Sequence, residues 1–127
     1  MYMHAPKRDI FSNVPKQEYL NLIDNPMNVP KFLGLEKEDV SKAANTPKSS
    51  IRYDDRMPND LKIFFNEIAI VCELVATYFN GDIKKTALWF KIENPALGGI
   101  SPRDMIRFGR FKKLKQFIQN QLEGDVP

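Results

Sequence analysis

Between Met57-Pro58 and Asn80-Gly81 lies the stretch that most restricts what this chain can fold into. Leu61, Phe64, Phe65, Ile68, Val71, Cys72, Val75 and Phe79 recur at spacings of three and four, the period of an α-helix. Ile63, Ile70 and Leu74 add a second apolar face, so the expectation is a spine helix buried from two sides. Asn80-Gly81 suits a left-handed close and Asp82 an N-cap for the next helix. No strand-like alternation persists elsewhere, so the fold class expected is all-α. The aromatic stripe reads as core and not as a cofactor box. Cys72, inside the stripe with no Lys, Arg or His nearby in sequence, reads as an inert buried thiol.

A chain of 127 residues fits one compact unit or two small subdomains sharing a core. The net charge of +3 permits an anionic partner without demanding one. A lone cysteine excludes an intrachain disulfide and suits a reducing compartment. No apolar run approaches a membrane span. Pro6-Lys7-Arg8-Asp9 interrupts any secretory apolar region, so the expected location is cytoplasmic. There is no metal-ligand cluster, and Gly98-Gly99 lacks the pattern and the preceding strand of a phosphate loop. No cofactor and no enzymatic activity are expected.

Residues 1–12 mix charge, aromatics and proline without a period and read as an arm, with His4 a solvated terminal residue. Residues 14–23 suit a short helix with Tyr19, Leu22 and Ile23 on one face, ended by Asp24-Asn25-Pro26. Phe32 and Leu33 belong to a short helix that stops at Gly34, and residues 36–44 to another with Val40, Ala43 and Ala44 inward. Asn45 then stands where a turn needs a left-handed residue. Thr46 suits a cap, Pro47 a first helical position, and Ile51 a buried place midway along a second helix over residues 47–53. With Ser41 as the small residue at the contact, the spacing is that of a helix-turn-helix. Docked as such motifs dock, it would offer Lys48, Ser49, Ser50 and Arg52 to DNA, with Lys37 near the backbone. Glu36, Glu38, Asp39, Asp54 and Asp55 weaken the positive field there.

Residues 89–110 read helix, tight loop, helix. Asn94-Pro95 initiates a turn, and Gly98-Gly99 permits positive φ and close approach of another backbone. Ser101 caps, Pro102 opens the next helix, and Asp104 stands where a capping-box acid belongs. The helix over residues 82–92 carries Ile83, Ala87, Leu88, Phe90 and a mostly buried Trp89. A short helix follows, with Met105, Ile106 and Phe108 as its apolar contribution, and Gly109 breaks it. The last helix, residues 110–123, turns Phe111, Leu114, Ile118 and Leu122 inward with Phe117 beside them. From Arg103 to Glu123 six cations face two carboxylates, a net +4. That face suits solvent or an anionic partner equally.

The ordered set Trp89, Asn94, Pro95, Leu97, Gly98, Gly99, Ser101, Pro102 and Gly109 resembles the toxin-binding domain of the Xre/MbcA/ParS antitoxins. The helix-turn-helix reading of residues 28–57 resembles the module that precedes it in that family. The resemblance covers roughly residues 29–124, and with the arm and short helix read from residues 1–27 it divides the chain into a helix-turn-helix over 28–57, a spine over 58–80 and a toxin-binding domain over 81–127. It implies an antitoxin of a type II toxin–antitoxin pair that is not itself an enzyme. Its partner would be a RES-domain toxin that consumes NAD, or a relative that transfers ADP-ribose, occluded at its cleft. Operator DNA would be a second partner, bound for autorepression, and a homodimer is the expected assembly. Trp89, Asn94, Leu97, Gly98, Gly99, Ser101 and Pro102 would shape the toxin-binding domain. Arg103, Arg107, Arg110 and Lys113 would make charge contacts, and residues 123–127 would reach toward the cleft. Two other readings stand beside it: a stand-alone transcriptional regulator whose C-terminal domain only dimerises, and a helical adaptor that no longer binds DNA.

Overall fold

A computed structural model describes residues 21–124. The arm, His4, Tyr19, most of the helix expected over residues 14–23, and residues 125–127 lie outside the described residues. Among the described residues the fold is all-α, with one isolated bridge between Asn94 and Ile100 and no strand. The helices are α1 (Val29–Leu33), α2 (Lys37–Ala44), α3 (Asn59–Tyr78), α4 (Ile83–Lys91), α5 (Pro102–Arg107) and α6 (Phe111–Gly124). Single 3-10 turns occupy Pro26–Asn28, Lys48–Ser50 and Pro95–Leu97.

α3 lies at the centre, against the Pro26–Asn28 turn, α1, α4 and α6. Leu61, Phe65, Ile68, Ala69, Val71, Cys72, Val75 and Ala76 are buried along it. The second apolar face behaves otherwise than expected. Ile63, Ile70 and Leu74 are exposed, so the helix is buried from one side and its opposite side carries uncovered apolar surface. The chain enters this helix laterally: Leu22 is buried and its N–H donates to Glu73 Oε2 at 3.1 Å.

Helix ends follow local chemistry. Gly34, Asn45, Asn80 and Gly81 take positive φ at the closes of α1, α2 and α3, where a left-handed residue frees the last carbonyls to be paired. The Asp82 carboxylate accepts the Lys85 N–H at 2.9 Å and starts α4. One buried group of α4 escaped the apolar pattern. Thr86 is fully enclosed, and its hydroxyl donates to Asp82 O at 2.7 Å, which satisfies it inside the helix.

Two residues of the expected apolar set face out, and a third is only partly covered. Leu88 and Phe108 are exposed and Trp89 is half-buried, while Phe90 is fully enclosed with the Trp89 ring edge-on at 5.1 Å. α6 runs as expected, with Phe111, Leu114 and Ile118 buried, and Phe117 and Leu122 packed at the margin of the core.

Candidate functional site

The corner between α4 and α5 is built by backbone hydrogen bonds that its residue types make available. Asn94 is its hub. Its side-chain oxygen accepts the Ala96 N–H at 3.0 Å, and its carbonyl accepts Leu97 N–H at 2.9 Å and Gly99 N–H at 3.1 Å. The Asn94 N–H donates to Ile100 O at 3.0 Å, which closes the loop upon itself. Gly98 and Gly99 sit at φ 80° and 87°, so both glycines serve the left-handed backbone. The second role expected of them fails: a Cβ at either position would meet nothing within 4 Å. The corner is tight in its own backbone, not squeezed by a neighbour.

Ser101 then caps α5, its Oγ accepting the Asp104 N–H at 3.0 Å, with Pro102 at the first turn. The Asp104 carboxylate takes no part in a capping box. It accepts from Arg107 Nη1 at 3.0 Å instead. Ser101 and Pro102 are buried, and the remaining motif residues Asn94, Leu97, Gly98 and Gly99 lie at or near the surface of one loop. Gly109, at φ 76°, ends α5 while the Arg110 N–H reaches back to Met105 O at 2.7 Å.

Beside the corner, a groove of about 290 Å³ opens between the C-terminal end of α3, α4 and α6. Val75, Tyr78, Phe79, Trp89, Phe117 and Leu122 form its apolar wall. The lone tryptophan thus lines a surface hollow next to the loop.

The four basic residues assigned to partner contact divide into two pairs. Arg103 and Arg107 are turned toward the N-terminal half of the molecule. Arg103 Nη1 donates to Leu33 O at 3.4 Å, at the end of α1, and its Nε is buried without a partner among the described residues. Arg107 Nε donates to Asp39 Oδ1 at 3.1 Å, and Asp39 Oδ2 accepts the Glu36 N–H at 2.9 Å as part of the capping box of α2. Asp39 pulls the Arg107 pKa upward, with Asp104 adding to the effect. The two arginines therefore hold α5 to α1 and α2. Arg110 and Lys113 are exposed, beside Lys112 at the start of α6.

The second candidate face departs further from expectation. α2 ends at Asn45 in the left-handed region, and Ser41 Oγ donates to Thr46 O at 2.6 Å. No second helix follows. Lys48–Ser50 make one 3-10 turn, after which Ile51 is extended, at φ −83° and ψ 115°. Thr46 does not cap; its hydroxyl donates back to Ala44 O. Ile51 is nonetheless buried, and Tyr53 lies against Phe65 with ring centroids 5.9 Å apart. Residues 45–57 thus form a strap over α3 anchored by Ile51 and Met57.

Two of the strap's cations are matched locally. Lys48 pairs with Glu38, and Arg52 grips Asp54 with Nη2 at 2.8 Å and Nε at 3.2 Å. Those cations hold the Glu38 and Asp54 carboxyls below their ordinary range. Lys37, Ser49 and Ser50 are exposed. Among the described residues no group of His, Cys, Asp or Glu is arranged to hold a metal ion, and no helix is long and apolar enough to cross a membrane.

No protein-family model matches this chain, and neither the curated proteins nor the solved structures contain a match to it.

Proposed function

We propose that this chain is the antitoxin of a type II toxin–antitoxin pair, acting by covering the cleft of a RES-domain toxin that consumes NAD or transfers ADP-ribose. The observation that carries the reading is the corner itself. Asn94, Pro95, Leu97, Gly98, Gly99 and Ser101 of the set fall in one hydrogen-bonded corner, hubbed on Asn94 and open to the surface at Gly98 and Gly99, with Trp89 lining the groove beside it. Such a preformed loop docks with little ordering cost. Arg110 and Lys113, exposed on the same half of the chain, supply positive charge toward an anion-handling cleft. Arg103 and Arg107 act from behind, by fixing α5 on α1 and α2.

Co-expression tests the proposal. Growth arrested by a RES-domain toxin encoded beside this chain is restored by the wild-type chain, and the two proteins co-purify. Failure of both sinks the reading. A Gly99→Trp chain that still neutralises the toxin removes the loop from it.

Autorepression through Lys37, Lys48, Ser49, Ser50 and Arg52 forms the second part of this proposal, with a homodimer joining two weak half-sites. A stand-alone regulator would use the same face. One observation favours the third reading, an adaptor that does not bind DNA. Lys48 and Arg52 are spent on Glu38 and Asp54, and the segment that would enter the groove is not an α-helix. A gel shift with the DNA upstream of the gene separates these. Retardation lost in the Lys48→Ala, Arg52→Ala double variant supports repression; no retardation by the wild type supports the adaptor.

A further inference from the structure

The chain reaches the described fold at the flank of α3. Leu22 is buried and its N–H donates to Glu73 Oε2 at 3.1 Å, which fixes where residues 1–20 join. At about 100° per residue, Ile63, Glu67, Ile70, Leu74 and Tyr78 share an outer arc of about 80°, and Glu73 stands about 60° beyond its edge. Ile63 (53 % exposed), Ile70 (43 %) and Tyr78 (65 %) are uncovered. Glu67 lies among them, partly buried and without an ion-pair partner among the described residues. Lys62 projects about 80° outside the arc, and Asp60 at its start is offset by exposed Arg56. The face therefore suits an occupant that is mainly apolar and carries positive charge at one point.

Residues 1–20 have that composition. Ile10, Phe11 and Val14 are apolar, and Lys7, Arg8 and Lys16 outnumber Asp9 and Glu18, 3 − 2 = +1. Lys7 and Arg8 stand two to four residues from Ile10 and Phe11, so one short piece offers both kinds of contact. Length does not limit them. Ten residue steps separate Phe11 from Asn21 and span about 33 Å when extended, more than the roughly 22 Å from Ile63 to Tyr78.

We propose that residues 7–16 fold back over the outer arc of α3, with Ile10 and Phe11 against Ile70 and Leu74 and the Lys7-Arg8 pair toward Glu67. The tether decides in favour of this occupant. A segment joined to the same chain meets the face at an effective concentration on the order of mM, so a few side-chain contacts suffice to hold it. A separate molecule making the same contacts has to be supplied at that concentration to compete. The cover needs neither a toxin nor DNA, and it gives α3 the second buried side that its apolar pattern leads one to expect.

Thiol modification of the full chain tests it, with buried Cys72 silent in the folded protein and helical circular dichroism checking that each variant is folded. Ile70→Cys is expected to react at least about tenfold more slowly than the same position in a chain that also carries Ile10→Ser and Phe11→Ser. The ratio is the same at about 1 μM and about 0.1 mM protein, because the cover is intramolecular. Leu88→Cys, exposed on α4, reacts at one rate in both backgrounds. Lys7→Glu with Arg8→Glu speeds the modification of Ile70→Cys, and Glu67→Arg added to that chain slows it again. Equal rates with and without Ile10→Ser and Phe11→Ser overturn the proposal. Protection that appears only at the higher concentration overturns it in favour of a second copy. Protection that appears only when another protein is added overturns it in favour of that protein.

Discussion

Residues 45–55 and residues 94–104 use nearly the same vocabulary: an asparagine, a proline two or fewer residues on, at least one serine, and an acid at the end. In the second segment every expected turn and cap forms, bar one carboxylate. In the first the expected helix is missing. The difference lies in what each segment asks of its neighbours. The corner needs only bonds within a few residues, such as Gly99 N–H to Asn94 O and Asp104 N–H to Ser101 Oγ. The strap was asked to sustain a seven-residue helix with two serines inside it and Asp54-Asp55 at its end, where the helix dipole disfavours negative charge. So short a helix is marginal without packing on a full face, and Ile51 with Tyr53 bury equally well from extended backbone.

The comparison is broken most directly at its anchors. Ile51→Ala is expected to cost about 2–5 kcal/mol in urea unfolding, because the side chain is enclosed although it sits on a strap. A cost below about 1 kcal/mol would mean the strap is held elsewhere. In the corner, Gly99→Ala costs about 1–2 kcal/mol from the positive φ alone, since its Cβ meets open space. Ser101→Ala removes the cap of α5 at about 1 kcal/mol. Should Gly99→Ala be neutral in the same assay, the loop has another conformation.

Smaller effects sharpen the electrostatic side of the contrast. A double-mutant cycle of Arg107→Met and Asp39→Asn is expected to give a coupling of about 0–1 kcal/mol, reduced because Arg107 remains partly in water. The strap's pairs respond to acid. Glu38 and Asp54 have folded pKa values below their ordinary 4.5 and 3.8, so their contribution is fully present above those values. It is lost as pH falls through the lowered folded values. Carboxyl chemical shifts titrated by NMR should show both midpoints below the ordinary ones. Raised or unshifted midpoints would remove the Lys48 and Arg52 pairings. Burial pushes the Cys72 thiol up, so a thiol reagent should react with it only on unfolding.

Much was legible in the residues because it depends on short range. The helical periods of α3 and α6 and the stops at Gly34, Asn45 and Asn80-Gly81 follow from side-chain spacing and from which residues tolerate positive φ. Less legible were the places where an amphipathic pattern offers two faces. Trp89 and Phe90 are adjacent and comparably apolar, and only the approach of neighbouring helices decided that Phe90 is enclosed and Trp89 lines a groove. Thr86 carried no apolar signal at all. Its buried hydroxyl is satisfied by a bond back to Asp82, a pattern readable only once the helix is known to face inward there.

Sequence alone therefore determined the class of the fold, most of its punctuation and the Asn94–Ser101 loop, since hydrogen bonds across three to six residues form from local identity. Tertiary structure decided which cations are free. Arg103 and Arg107 look no different from Arg110 and Lys113 along the chain, yet contacts with Leu33 and Asp39, about seventy residues away in sequence, consume the first two and leave the others in water. It likewise decided that one apolar side of α3 is core and the other is open, because a helix pattern states how many faces are greasy and not how many neighbours arrive to cover them.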